Sequence, residues 1–286
     1  MNFNWKKLSI NDLEKNYNPR EAVFNFSDYI EKYKTLGKEF RKKLPCILDV
    51  SYGDTPLQKL DIFGKKTLKN ASVHIFIHGG YWRALDKSDH SQLANPFVEN
   101  NILYFSINHD LCPAVTLSEI IQQVNSAIIW IYNNCKNYGG DKNKITISGH
   151  SAGAHLCAMI LENNWKNYYL PPDIIKGAAL ISGIFDLKIV RQISVNEDIK
   201  LTDIEVKELS TINKMPNFNL PLIVAYGEKE PKGWKEQSLE YKKNLINNKF
   251  QVSEILCKAD NHFSLIDTLA DEESTICKSI ISLAKL

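Results

Sequence analysis

The sequence predicts an α/β fold, with one mostly parallel sheet covered by helices on both faces. Three observations carry that expectation. From Ser72 onward short apolar runs alternate with helical stretches; no repeat, low-complexity tract or long linker divides the chain; and the chemically distinctive residues fall just after the predicted strands. Such alternation implies parallel pairing, because each crossover lays a helix across the sheet. In sheets of this kind ligands bind outside the carboxyl ends of the strands. A length of 286 residues suits a single domain over 1–286 with a sizeable core.

The elements follow in order. A helical arm is expected over residues 1–45. Within it Phe26, Ile30, Tyr33, Gly37, Phe40 and Leu44 recur at helical steps, and Ser27 and Asp28 suit the cap and first turn. "CILDVSYG" and "PLQKLDIF" flank the turn residues Gly53, Asp54 and Pro56, which predicts a β-hairpin, though not a tight two-residue one. "SVHIFIHGG" and "ILYFSINH" read as strands. "TLSEIIQQVNSAIIWIYNNC" reads as a helix with Leu117, Ile121, Val124, Ile128 and Ile131 on one stripe. The strand "KITIS", the helix "AGAHLCAMILE" and the strand "IKGAALIS" come next. Residues 184–215 are more polar and acid-rich; they read as one or two short helices outside the alternation, forming a lid over the sheet edge or a surface insertion. "LPLIVAYG", "QSLEYKKNLINN" and "FQVSEILC" resume the pattern, and a last helix runs from about Glu272 to Leu286.

Composition narrows the function classes. Apolar residues make up 44% and charged residues 24%, and a net charge of +2 gives no electrostatic footprint for nucleic acid. The densest basic spots, "FRKKL" and "GKKTLK", read as solvated surface. No stretch reaches the roughly 18 apolar residues of a membrane span. The N-terminus lacks the apolar core of a secretory signal. The six scattered cysteines, with no C-x-x-C pair, therefore read as reduced thiols of a cytoplasmic protein. The expected partners are a small-molecule substrate and, at most, a second copy of the chain. Neither nucleic acid nor membrane is expected, and no cofactor or metal.

The chemistry centres on "ITISGHSAGAHL". Ser151 falls between a strand ending near Ser148 and a helix opening at Ala152. That is the setting of a nucleophile elbow, where flanking glycines permit a strained turn and the helix N-terminus offers unpaired N–H groups. G-x-S-x-G alone is a weak signal. "HGGYW" (His78 to Trp82) strengthens it, because its glycines let backbone N–H groups face a ligand, and an oxyanion needs donors from two loops. A nucleophilic serine needs a base, and His262 follows a strand at the carboxyl edge, last of the seven histidines. His150 adjoins the serine and is expected to point elsewhere. His78 is expected to order the glycine loop, while His90 and His109 have no evident role. The orienting acid should lie between serine and histidine. Glu230, just beyond Gly227, is preferred, with Asp186, Asp260 and Glu228 left open.

Together, "YNPR", "HGGYWRALDKSD", "GHSAGAHL", "SGIFDL" and "NHF" resemble the kynurenine formamidase (arylformamidase) group of the α/β-hydrolase superfamily, over nearly the whole chain. The resemblance implies an α/β-hydrolase fold with a small helical lid, and serine-based acyl transfer. It implies Ser151 as nucleophile, His262 as base and Glu230 as acid, with Gly79, Gly80 and Ala152 donating to an oxyanion. Tyr81, Trp82 and His78 would adjoin the substrate. Two departures stand out: the group commonly has aspartate where Glu230 stands, and Tyr81 replaces the third glycine of HGGG-type esterases. The implied substrate is an N-formylated aromatic amine such as N-formylkynurenine, cleaved to the amine and formate. The alternatives are a carboxylesterase for small acyl esters and a non-catalytic receptor of the same fold. Tyr17 reads as core packing, with a reach over the site as the other option.

Overall fold

The computed structural model describes residues 4–286. The arm carries α1 (Ile10–Tyr17), α2 (Pro19–Ala22) and α3 (Phe26–Lys43). In α3, Asp28 lies in the first turn and Arg41, Lys42 and Lys43 in the last, complementing the helix dipole. The helix starts at Phe26, so Asn25 takes the cap position and Ser27 falls inside the first turn.

The hairpin is present as β1 (Cys46–Ser51) and β2 (Lys59–Phe63), paired antiparallel. β3 (Ala71–Ile77), α4 (Ala94–Glu99), β4 (Leu103–Ile107), α5 (Leu117–Asn134), β5 (Gly140–His150), α6 (Ala152–Glu162) and β6 (Ile175–Ile181) follow. Thr116 and Glu119 form a reciprocal capping box at the start of α5, which explains its clean onset. After β6 come α7 (Leu187–Val190), α8 (Asn196–Ile199) and α9 (Asp203–Leu209), then β7 (Leu222–Gly227), α10 (Lys232–Asn247), β8 (Val252–Cys257), α11 (Leu265–Ala270) and α12 (Thr275–Ala284). The eight strands form one sheet in the order β1-β2-β4-β3-β5-β6-β7-β8, antiparallel only at β1–β2 and β2–β4. This is the α/β-hydrolase architecture.

The core lies on both faces of the sheet. Along β3, Val73, Ile75 and Ile77 join one cluster with residues of α5 and α6, while Phe76 joins the other with residues of α4 and α12. This is the period-two alternation of a strand covered on both sides. His74 is a core residue, its ring nitrogens bonded to Thr146 Oγ1 and Ser148 Oγ at 2.9 and 2.7 Å.

Two expectations need correction. The last helix does not run unbroken from Glu272: α12 opens at Thr275, where the Ser274 side chain accepts from Cys277 N–H. Residues 184–215 hold three short helices, and most of their apolar side chains are built into the core, Ile204 being the exposed exception. Ile184, Phe185, Leu187, Val190 and Val195 have no exposed surface. A loosely hinged lid could not bury them in this way, so the segment is a packed part of the domain. Among the described residues, no helix is long and apolar enough to cross a membrane.

Candidate active site

Five loops at the carboxyl ends of β3, β5, β6, β7 and β8 build the site. Ser151 makes the turn from β5 into α6 with φ 59° and ψ −121°. A non-glycine residue seldom holds positive φ unless its surroundings enforce it. Here Ser151 N–H donates to Ile181 O of β6 at 2.9 Å. The motif glycines let the turn close. A Cβ on Gly149 would stand 2.3 Å from Gly153 O, and one on Gly153 would stand 2.0 Å from Ile77 O. Ser151 is therefore held up by three elements meeting at distances that only glycines permit.

Of the candidate acids, Glu230 is the one placed against the histidine. His262 Nδ1 donates to Glu230 Oε1 at 2.6 Å, and both side chains are buried. Glu230 Oε2 accepts from Ser182 Oγ at 2.7 Å and from Gly227 N–H at 2.8 Å. Three donors converging on a buried carboxylate hold it in one orientation. Asp186 instead caps α7, accepting from Lys188 N–H at 3.1 Å. Asp260 accepts from Ser264 and Thr268 at 2.7 and 2.8 Å, and Glu228 from Ala259 N–H at 3.2 Å. Of the four acids only Glu230 reaches the histidine. Ser151 and His262 line one cavity, although no hydrogen bond joins them among the described residues. Contacts of this kind commonly tighten only when substrate is bound.

The cavity holds about 570 Å³ of empty space, part of it open to solvent. Ser151, His150 and His262 share it with Gly80 and Tyr81 of the glycine loop. Gly80 has φ +102°, and a Cβ there would meet Ala84 O at 2.1 Å, so the loop tightens where only glycine fits. Among the described residues, neither Gly80 N–H nor Ala152 N–H has a protein acceptor. Gly79 lies just behind, where a Cβ would stand 3.0 Å from Ser151 Cβ. The residues expected to donate to an oxyanion thus surround Ser151.

The three residues expected beside the substrate separate. Tyr81 lines the cavity, its hydroxyl donating to the Tyr17 carbonyl and its ring edge-on to Trp234 at 5.8 Å. Trp82 and His78 do not line it, which corrects that expectation. Left-handed backbone at Tyr81 and Trp82 turns the Trp82 ring inward onto His155 at 5.0 Å, fully buried. The buried His78 ring faces Gly79 O at 2.8 Å and Asn108 Oδ1 at 2.9 Å, tying the glycine loop to β4. That is the ordering role expected of it. Tyr17 is a buried packing residue whose carbonyl anchors Tyr81.

Four contributors were not read from the sequence. Ser182, just past β6, orients Glu230 through its hydroxyl, and its carbonyl accepts from Trp234 Nε1 at 2.8 Å. Trp234 packs edge-on against the His262 ring at 4.4 Å. His150 lines the cavity and lies 4.6 Å from His262 instead of pointing away. Burial first, then the charge of His262, holds His150 well below the usual imidazole range, so it packs as a neutral ring. The cover over the cavity comes from the N-terminal arm. Asn18, Pro19, Arg20, Ile30 and Tyr33 line it, whereas no residue of 184–215 does. Tyr33 O–H donates to Phe263 O at 2.5 Å, fastening the arm to the histidine loop.

A family model matches residues 60–245, a stretch running from β2 into α10 that includes Ser151 and Glu230. The chain belongs to the BD-FAE family. Its relatives extend the match beyond that stretch. It is 29% identical over 293 residues to a kynurenine formamidase of Danio rerio, covering 98% of each chain. It is 25% identical to a kynurenine formamidase of Drosophila melanogaster, over 93% of this chain and 95% of that one. A solved candidate thioesterase from Silicibacter sp. TM1040 superposes with a TM-score of 0.81 at 26% identity, covering 96% and 99% of the two chains. Esterase B of Lactobacillus rhamnosis shares the fold, with a TM-score of 0.70 over 91% and 96% at 15% identity. This member of the BD-FAE family is a hydrolase of the serine type, and the receptor alternative is set aside.

Proposed function

We propose that the chain hydrolyses the formamide of an N-formylated aromatic amine, with N-formylkynurenine as the favoured substrate. The observation that carries this reading is the Ser151 turn opening into the same cavity as a His262 ring held by buried Glu230. The formyl preference is supported by the kynurenine formamidases that match the chain from end to end.

The proposed reaction assigns each residue a step. Ser151 Oγ attacks the formyl carbon as His262 Nε2 takes its proton, and the imidazolium is stabilised by Glu230 at Nδ1. The carbonyl oxygen becomes an oxyanion facing the Gly80, Gly79 and Ala152 N–H groups. As the tetrahedral intermediate collapses, the C–N bond breaks and His262 returns the proton to the departing amine. Water, deprotonated by the same ring, then releases formate from the formyl-serine.

A carboxylesterase would use the same residues. That second reading is supported by a Mycobacterium tuberculosis esterase 34% identical over 149 residues, which span 49% of this chain. Turnover of N-formylkynurenine against p-nitrophenyl acetate separates the two. The formamide is expected to have the higher kcat/KM. Strong ester hydrolysis beside negligible formamide hydrolysis would overturn the substrate assignment and leave the serine mechanism standing.

A further inference from the structure

We propose that Arg20, at the rim of the cavity, binds a carboxylate carried by the leaving group of the substrate. The inference rests on the proposed acyl-transfer function and specifies the class of amine that departs.

The cavity lining contains two guanidinium groups, Arg20 and Arg83, and no aspartate or glutamate. They are not equivalent. Arg83 is already ion-paired with Asp198 of α8. Among the described residues no carboxylate lies within salt-bridge distance of Arg20, an exposed residue that lines the cavity. A planar guanidinium in this position matches a carboxylate with two parallel hydrogen bonds.

Arg20 is also held in place. Asn18 caps the short turn of α2, its side chain accepting from Arg20 N–H at 3.3 Å. The guanidinium lies 5.5 Å from the centre of the Phe26 ring, which packs 6.0 Å from the Phe263 ring, next in sequence to His262. One run of contacts thus links the cation to the loop of the proposed base. Partial burial first, then the like charge of Arg83, pushes Arg20 below its ordinary value, with Asp198 acting in the opposite direction. A bound anion offsets the like charge of Arg83. The apolar walls between the serine and the rim, among them Ile30, Leu85, Phe263 and Ile266, suit an aromatic spacer between acyl group and carboxylate.

The test compares substrates that differ only in the carboxylate: N-formylkynurenine and its decarboxylated analogue. The wild-type protein is expected to favour the acid by roughly tenfold to a hundredfold in kcat/KM, chiefly through KM, the range of one charge-assisted pair. Arg20→Gln should collapse that ratio to within about threefold, and Arg20→Lys should restore part of it, since a point charge replaces the fork. Thermal melts of both variants check that the arm stays folded. An Arg20→Gln ratio equal to that of the wild type overturns the proposal. If neither formamide is turned over, the same ratio is read from 4-acetoxybenzoate against phenyl acetate. A collapse there supports Arg20 while overturning the formamide reading, and an unchanged ratio overturns the Arg20 assignment itself.

Discussion

Glu230→Gln is expected to lower kcat by about 10⁴-fold while leaving the fold intact. The size of the effect follows from the three donors that converge on this carboxylate. Oε1 accepts from His262 Nδ1, and Oε2 accepts from Ser182 Oγ and Gly227 N–H. An amide offers one acceptor oxygen and one NH₂. If the oxygen stays on the Ser182 side, the NH₂ meets His262 Nδ1 and forces the tautomer whose Nε2 already carries a proton. That ring cannot take the proton of Ser151. If the amide flips, its NH₂ opposes the Gly227 N–H, and the imidazolium still lacks its counter-charge. Asp186→Asn, which alters only the cap of α7, should change kcat less than about threefold, as for other surface-cap changes. Steady-state kinetics on both variants decide the matter. A large loss in Asp186→Asn with near-normal Glu230→Gln would move the acid role to Asp186.

Ser151→Ala is expected to remove more, about 10⁶-fold in kcat, because no other group at the turn can form the acyl intermediate. Its stability should change little, and a companion variant gives the prediction a structural signature. Ser151 sits at φ 59°, a conformation in which alanine is as strained as serine but glycine is not. Ser151→Gly should therefore be more stable than Ser151→Ala by about 1 kcal/mol in urea unfolding, with both inactive. Equal stabilities would show that the turn stores no strain.

The parts of the fold legible in the sequence were those set by local periodicity and turn chemistry. The hairpin of β1 and β2, the stripe of α5 and the glycines around Ser151 each arise from residues close together along the chain. His262 and Glu230 were legible because each follows a strand whose carboxyl end faces the site. Contacts between distant segments were not legible. Nothing local to Ser182 signals that its hydroxyl meets Glu230, 48 residues later, and nothing near Tyr33 signals its bond to Phe263, 230 residues on. The cover of the cavity was misplaced for the same reason. Residues 184–215 look polar when averaged, yet most of their apolar side chains are buried, whereas the arm that lines the cavity reads as an ordinary amphipathic helix. Trp82 was misread because its orientation depends on two consecutive residues at positive φ, which side-chain identity does not reveal.

That Ser151 is a nucleophile activated in place is tested most directly by intact-mass spectrometry after exposure to a fluorophosphonate. The wild-type protein should gain the mass of a single phosphonyl adduct, mapped to the peptide containing Ser151, and Ser151→Ala should gain none. A wild-type protein that stays unlabelled, or equal labelling of Ser151→Ala, would contradict it.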